Sequence, residues 1–373
     1  MFSATSATTE LFRRVTARPW LVLCIAVLLI VICGAGLTQL VKDTSVKAFI
    51  PAGHESLIAD AKAAEVFGLS DTIAVAVVTT DGSSVFTPKV LTLVDELSAE
   101  LAGLPNIRYD RVASLASESS ISGENGSVFI DPYVEPFAMD DAFANDSQAR
   151  WEKMAPHRGT LVSEDGTGAV IMAELIDSDI ADETYLAVLE MVDAITMDDV
   201  DLHVAGPGAV SGFLSRYIDE DARKLQPLVF VLVLGFIYLA FRRAKALPGP
   251  LLVIVGSAAG ALGIMAWSGI PYYAITNALP VIIVAISVAD AIHILSAYYQ
   301  RREQYPNAEV RELVVGAMAA MARPITLTTI TTIAGFIGIA VMSIMPPITW
   351  FAIFASLGVL LAWVFSIFVL PSM

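Results

Sequence analysis

The sequence predicts a polytopic α-helical membrane protein with one soluble α+β domain inserted after the first membrane span. Its 373 residues are 56% hydrophobic and only 16% charged, whereas a soluble domain carries about a quarter charged residues. Six segments are apolar and long enough to cross about 30 Å of hydrocarbon, which takes roughly 20 residues of helix. The acidic residues are concentrated in one block between the first and second of these segments. Together these observations predict membrane helices around a soluble insertion.

The acidic block is residues 41–224. It contains 12 Lys and Arg against 33 Asp and Glu, a net charge of −21, while the rest of the chain contains 10 against 5. Nucleic acid is therefore not an expected partner, because phosphate binding needs clustered Lys and Arg. The two cysteines, Cys24 and Cys33, lie in the first apolar segment. The block thus has neither a disulfide framework nor a Cys/His metal cluster, and no cofactor is predicted.

The membrane spans are predicted from the apolar runs. The second is short, and we expect a helix that begins before it to supply the missing length. The first follows Arg13, Arg14 and Arg18, as a signal peptide would. Its apolar run is longer than a typical signal sequence and no small-residue cleavage site follows promptly, so we expect a retained anchor. The predicted spans are residues 19–40, 225–241, 247–267, 275–298, 324–345 and 348–370.

The orientation follows from the basic residues. Outside the acidic block, every Lys and Arg lies before the first span or in the loops after the second and fourth spans. The positive-inside rule assigns these loops and residues 1–18 to the cytoplasm, which places residues 41–224 on the outer side of the membrane. We expect this membrane to be the cell inner membrane, whose outer side faces the periplasm. Between the fourth and fifth spans, residues 307–322 have helix-start chemistry and an apolar face. They predict an amphipathic helix lying along the cytoplasmic surface.

Strand and helix patterns alternate within the acidic block. Two β-α-β units are predicted, joined by a polar connector at residues 114–158, which indicates a split βαβ, ferredoxin-like domain. The first unit comprises a strand at 71–80, a helix at 88–101 and a strand at 106–112; the second comprises a strand at 169–176, a helix at 181–197 and a strand at 200–204. The fold of the connector is not predicted. Its triplets at Asn125 and Asn145 match the glycosylation acceptor pattern, which is common by chance.

Asp290 is the only acidic residue inside the six predicted spans. An aspartate at the centre of a membrane helix costs about 2.5–3.5 kcal/mol on insertion scales, and such residues usually face a bundle interior or a wet cavity. Ser287 and His293 lie three residues before and after it, on the same helical face. These three residues predict a proton relay, with a hydrogen bond to a neighbouring helix as the alternative role of Asp290. His293 either orients Asp290 or packs between helices.

The fifth span contains five threonines within residues 326–332. Threonine hydroxyls in a helix can bond the carbonyls of their own preceding turn, so an ordinary threonine-rich span is one interpretation. The other places Thr328, Thr329 and Thr332 against Asp290, as hydroxyl partners or water ligands in the proton relay.

Glycines in two spans predict close helix packing. They have the spacing of small residues at membrane helix interfaces, where backbones approach each other closely. The residues concerned are Gly256, Gly260 and Gly263 in the third span, and Gly335 and Gly338 in the fifth.

The stretches NALPVIIVAISVADAIHIL at 277–295 and RPITLTTITTIAGF at 323–336 resemble the MMPL-type, Patched-related exporter branch of the RND superfamily. The whole layout is similar to one half of such a transporter. This resemblance implies that Asp290 serves proton relay and that the outer porter domain handles lipids or other amphiphiles. It also implies that residues 225–370 are similar to a sterol-sensing domain. One departure is Ile286, where the family often has glycine.

Members of that family usually carry two such six-span units, whereas this chain ends directly after the sixth span. We expect either a truncated first half or a half-size transporter that pairs with a second copy, and truncation is favoured. The partners implied are an amphiphilic or lipid cargo, protons, membrane lipids and the second half.

Three functions are compared. The first is a secondary transporter in which proton influx through Asp290 drives export of an amphiphile. The second is a SecD/SecF-like accessory of protein translocation, which usually has Asp-Ala-Asn where this sequence has Asp290, Ala291 and Ile292. The third is a lipid- or sterol-sensing module without transport. Since there is no Gly-rich phosphate loop, HExxH motif or convincing nucleophile motif, we expect neither an enzyme nor an ATP-driven pump.

Overall fold

The computed structural model describes residues 6–68, 70–124, 126–136 and 139–373. Asn125 and the first five residues of the N-terminal segment lie outside this part. The helices are α1 Ser6–Val15, α2 Pro19–Gly36, α3 Glu55–Phe67, α4 Pro88–Ala102, α5 Asp141–Lys153, α6 Ala181–Asp193, α7 Pro207–Phe241, α8 Pro248–Trp267, α9 Leu279–Gln304, α10 Val310–Met342 and α11 Pro346–Val364. The strands are β1 Lys42–Asp43, β2 Thr72–Thr79, β3 Ile107–Ala113, β4 Ser119–Glu124, β5 Ser127–Pro132, β6 Gly168–Leu175, β7 Val200–Ala205 and β8 Tyr272–Tyr273.

Six helices in the described residues are long and apolar enough to cross a membrane, which confirms a polytopic helical protein. The helix that contains the predicted second span begins eighteen residues earlier, at Pro207, so it does borrow length as expected. Counting the short helical turns at their ends, the six run over Pro19–Gln39, Pro207–Phe241, Ala244–Trp267, Ala274–Gln304, Val310–Met342 and Pro346–Ser372.

Prolines begin most of these membrane helices. Pro19, Pro248 and Pro346 each occupy the first turn of a helix. A proline there loses no backbone hydrogen bond, because the first N–H groups of a helix have no intrahelical acceptor, and its fixed φ already suits a helix. The starts of these helices can therefore be read from the sequence to within a few residues.

Helix α10 differs from its prediction. We predicted a separate surface helix at 307–322 and a span at 324–345, with a break before Pro324, but a single helix runs over Val310–Met342 with Pro324 inside it. The buried residues Val315, Met318, Ala322 and Ile325 are spaced by three and four residues across the proline, so one apolar stripe continues through it. Packing along this stripe stabilises the continuous helix, and a proline is tolerated within membrane helices.

The membrane helices, with α7 included from residue 217 onward, belong to one compact unit, formed by residues 1–52 and 217–373. The hydrophobic clusters of this unit join α2, α8, α9, α10 and α11. A short parallel pair, β1 with β8, connects the segment after α2 to the segment before α9, and Tyr272 N–H donates to the Val41 carbonyl at 2.7 Å. The bundle is thus closed by backbone pairing as well as by apolar packing.

Residues 53–216 form the second unit, an α+β domain. Its main sheet has the order β3-β6-β2-β7 with every neighbouring pair antiparallel. This order and these directions are those of a split βαβ, ferredoxin-like fold, as predicted. Alternate residues of β2 and β6 are buried, because one face of the sheet packs on α4 and α6. Thr87 caps α4 through its side-chain oxygen, which accepts a hydrogen bond from Val90 N–H at 3.3 Å.

The connector, whose fold was not predicted, contains the hairpin β4–β5 and helix α5. Asp140 caps α5 by accepting from Phe143 N–H at 2.8 Å. Trp151 of α5 packs against Phe86 of the main core, with ring centroids 5.4 Å apart. The connector also contributes Leu115, Tyr133 and Ala144 to that core, and Asn145 lies on its helix rather than in a loop.

Candidate functional site

Asp290 lies in the interior of the membrane unit. Its side chain on α9 is only 6% exposed, and its Oδ2 atom has no hydrogen-bond partner among the described residues. The adjoining residues Ala291 and Ile294 pack into a cluster with Ile325 of α10 and with Phe365. A carboxyl in such surroundings loses its hydration without a compensating partner, which is costly for the charged form. Among the described residues, Asp290 is therefore a buried carboxyl without a compensating partner.

Ser287 is completely buried one turn before Asp290, but it bonds to a different helix. Its Oγ lies 2.9 Å from the Oγ of Ser257 on α8, and Ser257 in turn donates to the Val253 carbonyl at 2.8 Å. The predicted contact of Ser287 with Asp290 is thus replaced by a serine pair that joins α8 to α9. Sequence reasoning missed Ser257, although it is a lone hydroxyl among the glycines of its helix.

His293 does not share the buried face of Asp290. Its side chain is exposed on the surface of the bundle. Three residues of helix correspond to about 300° of rotation, so His293 lies roughly 60° from Asp290. This places it beyond the edge of the arc that α9 buries. In the described structure His293 is accordingly no partner of Asp290, contrary to the predicted relay.

The threonines of α10 bond mainly to their own helix. Thr328 and Thr329 both donate to the Ile325 carbonyl, at 2.8 and 2.9 Å, and Thr332 donates to the Thr328 carbonyl at 2.8 Å. Thr329 is buried, Thr332 is half-buried and Thr328 is exposed. No hydrogen bond among the described residues joins any of them to Asp290. The geometry agrees with the ordinary threonine-rich span, and Thr329 is the one of these three threonines whose side chain is buried.

Two polar residues near the end of the bundle were not predicted. Trp363 of α11 donates from Nε1 to Thr326 Oγ1 at 2.9 Å, which ties α11 to α10. Ser366 is fully buried and its Oγ has no partner among the described residues. It lies in the wide helical turn Phe365–Val369, and such π-type turns occur often at functional sites. No sequence signal marks that turn.

The glycines of α8 pack as predicted. A Cβ at Gly256 would collide with the ring of Phe365, one at Gly260 would stand 2.7 Å from Leu361, and one at Gly263 would collide with the backbone of Cys33. The glycines of α10 differ, because nothing lies within 4 Å of a Cβ at Gly335 or Gly338. Among the described residues, no other helix packs closely over these two glycines.

An apolar cavity of about 270 Å³ lies between α7, α8 and α9. Its walls include Phe230, Ala258 and Val284, and its one polar side chain is Gln226. The Gln226 amide lies 3.4 Å from the side-chain oxygen of Asn277, just before α9. A cavity with apolar walls and a single fixed amide suits a hydrophobic ligand with one polar group. The sequence did not predict it, because its residues come from three separate helices.

The fold and these features define a class: a multi-pass helical membrane protein with an inserted α+β domain, a buried unpaired carboxyl and an apolar cavity between helices. Residues 234–373 match the family model for Patched, described as Patched SSD, a sterol-sensing domain. The matched residues begin near the end of α7 and include α8 to α11. This unit is therefore similar to the sterol-sensing unit of the RND and Patched-like proteins, as the fourth and fifth spans predicted. No curated protein matches the chain.

Proposed function

We propose that the chain is one six-helix unit of an RND-type secondary transporter that exports lipids or other amphiphiles at the expense of a proton gradient. The observation that carries the proposal is the unpaired, buried carboxyl of Asp290. A structural aspartate in a bundle is expected to have its oxygens satisfied by neighbouring donors. An aspartate that is left unsatisfied can lower its energy by taking up a proton, so it is suited to alternate between two protonation states.

The proton gradient supplies enough energy for such a cycle. One charge moved across the membrane gains about 2.3 kcal/mol per 100 mV, and conformational states a few kcal/mol apart respond to differences of that size. In the proposed cycle, proton binding at Asp290 changes the packing between α9 and α10. Thr329, buried on α10, supplies a hydroxyl oxygen that can accept a hydrogen bond from the protonated carboxyl.

The remaining expectations from sequence become part of the same proposal. The basic residues at one end of the helices support a cytoplasmic-membrane protein with residues 41–224 on the outer side. The partners proposed are an amphiphilic cargo, protons, membrane lipids and a second six-helix half, from the same chain or from another copy. No enzymatic step is proposed.

A second function is favoured by the cavity that contains Gln226. Apolar walls with a single amide suit a sterol or a similar lipid, and the Patched SSD match supports the same ligand class. The alternative is thus a lipid- or sterol-sensing membrane module without transport. In that case ligand binding depends on the cavity and is independent of Asp290.

Efflux of an amphiphilic dye from vesicles under an imposed proton gradient tests the first proposal. The full chain, with any second half that it needs, is compared with Asp290→Asn and with the control Glu303→Gln. The control removes one negative charge from the exposed end of the same helix. Transport by wild type and control but not by Asp290→Asn supports proton coupling, provided that all three insert equally. Equal transport by all three contradicts it.

Binding of a fluorescent sterol separates the two functions. We expect Ala258→Phe, which fills the cavity, to abolish binding, while Asp290→Asn leaves it unchanged. A wild type that binds sterol but transports nothing under the gradient supports the sensing module. A wild type that transports while Ala258→Phe does so equally shows that the cavity is not on the transport path.

A further inference from the structure

A second cavity lies at the basic end of the membrane unit, where α9 ends and α10 begins. Its volume is about 260 Å³, and it is lined by Lys245 and Arg302 together with the rings of Tyr298 and Tyr299. Apolar side chains complete its wall: Ile294, Leu295, Val310, Val314, Ala317 and Leu370 are among them. The cavity therefore combines cations with hydrocarbon, unlike the almost wholly apolar cavity near Gln226.

Neither cation of this cavity is neutralised by a carboxylate in the described structure. Arg302 donates from Nη1 to the Tyr298 hydroxyl at 3.3 Å, and Lys245 has no polar partner among the described residues. Two other cations at this end do have carboxylate partners: Arg13 lies 3.5 Å from Glu312 and Arg14 lies 3.3 Å from Glu10. The positive charge of the cavity is thus left available for an anion.

Aromatic packing fixes a third cation beside the cavity. The guanidinium of Arg243 lies over the Tyr299 ring at 5.2 Å, and Phe241 packs on the same ring with centroids 5.4 Å apart. Arg242 directly follows α7 and has a left-handed φ of 51°, uncommon outside glycine. This turn brings Arg243 and Lys245 back toward α9. Such a strained residue persists only when its surroundings hold it, so the arrangement of cations is built into the fold.

We propose that this cavity binds the phosphate headgroup of an anionic phospholipid, with the start of an acyl chain against Leu295 and Val314. Lys245, Arg302 and the Tyr298 hydroxyl offer donors for charge-assisted hydrogen bonds to phosphate oxygens. Basic pockets between membrane helices on the cytoplasmic side suit such headgroups, and the positive-inside rule assigns this end of the helices to the cytoplasm. The site lies at the opposite end of α9 from the cavity near Gln226, so its lipid is distinct from the proposed cargo.

Lipid binding to the purified full chain in detergent tests the site. Phosphatidylglycerol, phosphatidylcholine with the same acyl chains and inorganic phosphate are titrated separately, and bound lipid is counted by native mass spectrometry. Wild type is expected to prefer phosphatidylglycerol. The double variant Lys245→Gln/Arg302→Gln should lose about 10- to 30-fold in affinity for it. The control Arg18→Gln, exposed at the same end but outside the cavity, should bind as wild type does.

A second variant tests the apolar wall without changing charge. Val314→Phe fills part of the cavity and should weaken phosphatidylglycerol binding while the chain remains folded. Equal affinity of wild type for the two lipids overturns the proposal, as does an unchanged affinity in both the double variant and Val314→Phe. Displacement of phosphatidylglycerol by millimolar inorganic phosphate would assign the site to a free anion and would also overturn it.

Discussion

The contact between α2 and α8 makes the sharpest stability prediction. Gly263 of α8 faces the backbone of Cys33 on α2, and the indole of Trp267 donates to the Ile32 carbonyl at 3.2 Å. In Gly263→Ala the added Cβ would overlap the Cys33 carbonyl oxygen and stand 2.8 Å from its Cα. Ordinary carbon contacts are about 3.5–4.0 Å. Because the obstacle is backbone, no side chain can move aside, and α2 must shift away from α8.

The expected cost follows from these contacts. Overpacking costs about 1–3 kcal/mol, and loss of the Trp267 hydrogen bond costs about 1 kcal/mol. Gly263→Ala should therefore lower the free energy of unfolding by about 2–4 kcal/mol. Gly338→Ala is the matched control, since it makes the same change in α10 where nothing lies within 4 Å of the new Cβ. It should be neutral or slightly stabilising, because alanine is the better helix former.

Reversible unfolding in mixed detergent micelles, followed by tryptophan fluorescence, measures both variants. Trp267→Phe, which removes the hydrogen bond and leaves the glycine contact, should account for about 1 kcal/mol of the loss. If Gly263→Ala is as stable as Gly338→Ala, then α2 does not approach α8 at Gly263, and the reasoning is wrong.

Three further predictions concern single contacts. Ser257→Ala and Ser287→Ala should each destabilise the membrane unit. A double-mutant cycle should give a coupling free energy of about 0.6–1.5 kcal/mol for the pair, whose Oγ atoms lie 2.9 Å apart. Additive effects of the two substitutions would mean that the hydroxyls do not bond. Leu97→Ala in the fully buried core of the α+β domain should cost about 2–5 kcal/mol in thermal or denaturant unfolding, whereas a cost under 1 kcal/mol would contradict its packing. Burial raises the pKa of Tyr133 to about 12, above the unfolded value near 10. The contribution of the neutral Tyr133 side chain to stability is therefore present below pH ~10 and is lost as the pH rises toward 12. Tyr133→Phe should remove this part of the loss of stability at alkaline pH, measured as the free energy of unfolding at a series of pH values.

The elements with strong periodicity were predictable. Strands β2 and β6 were located within two residues, because alternate positions of each are buried and β-branched residues suit a half-buried strand. The order of the sheet also followed, since two β-α-β units in one small domain have few ways to share a sheet. The six membrane helices followed from apolar length. In each case a local pattern in the sequence determined the element.

The failures have tertiary causes. The break expected at Pro324 does not occur, because an apolar stripe continues on both sides of it. Helix α5 reads as polar, yet its Ala144 and Trp151 are buried in the core of the α+β domain. Asp290 was recognisable as unusual in the sequence, but the other buried polar groups of the bundle, Ser257 and Ser366, were not, and His293 lies beyond the buried arc. Which polar side chains meet in a bundle depends on helix rotation, which spacing along one helix does not determine.

The connections between helices restrict how the bundle can open. Only six residues separate α7 from α8, and three separate α10 from α11. The first connection is at the basic end of the helices and the second is at the opposite end. Joined ends cannot separate, so α7 and α8 can splay apart only away from the basic residues, whereas α10 and α11 can splay only toward them. The two helix pairs can therefore open only at opposite ends of the bundle. A movement that separates the helices of one pair at one end leaves the same two helices joined at the other end.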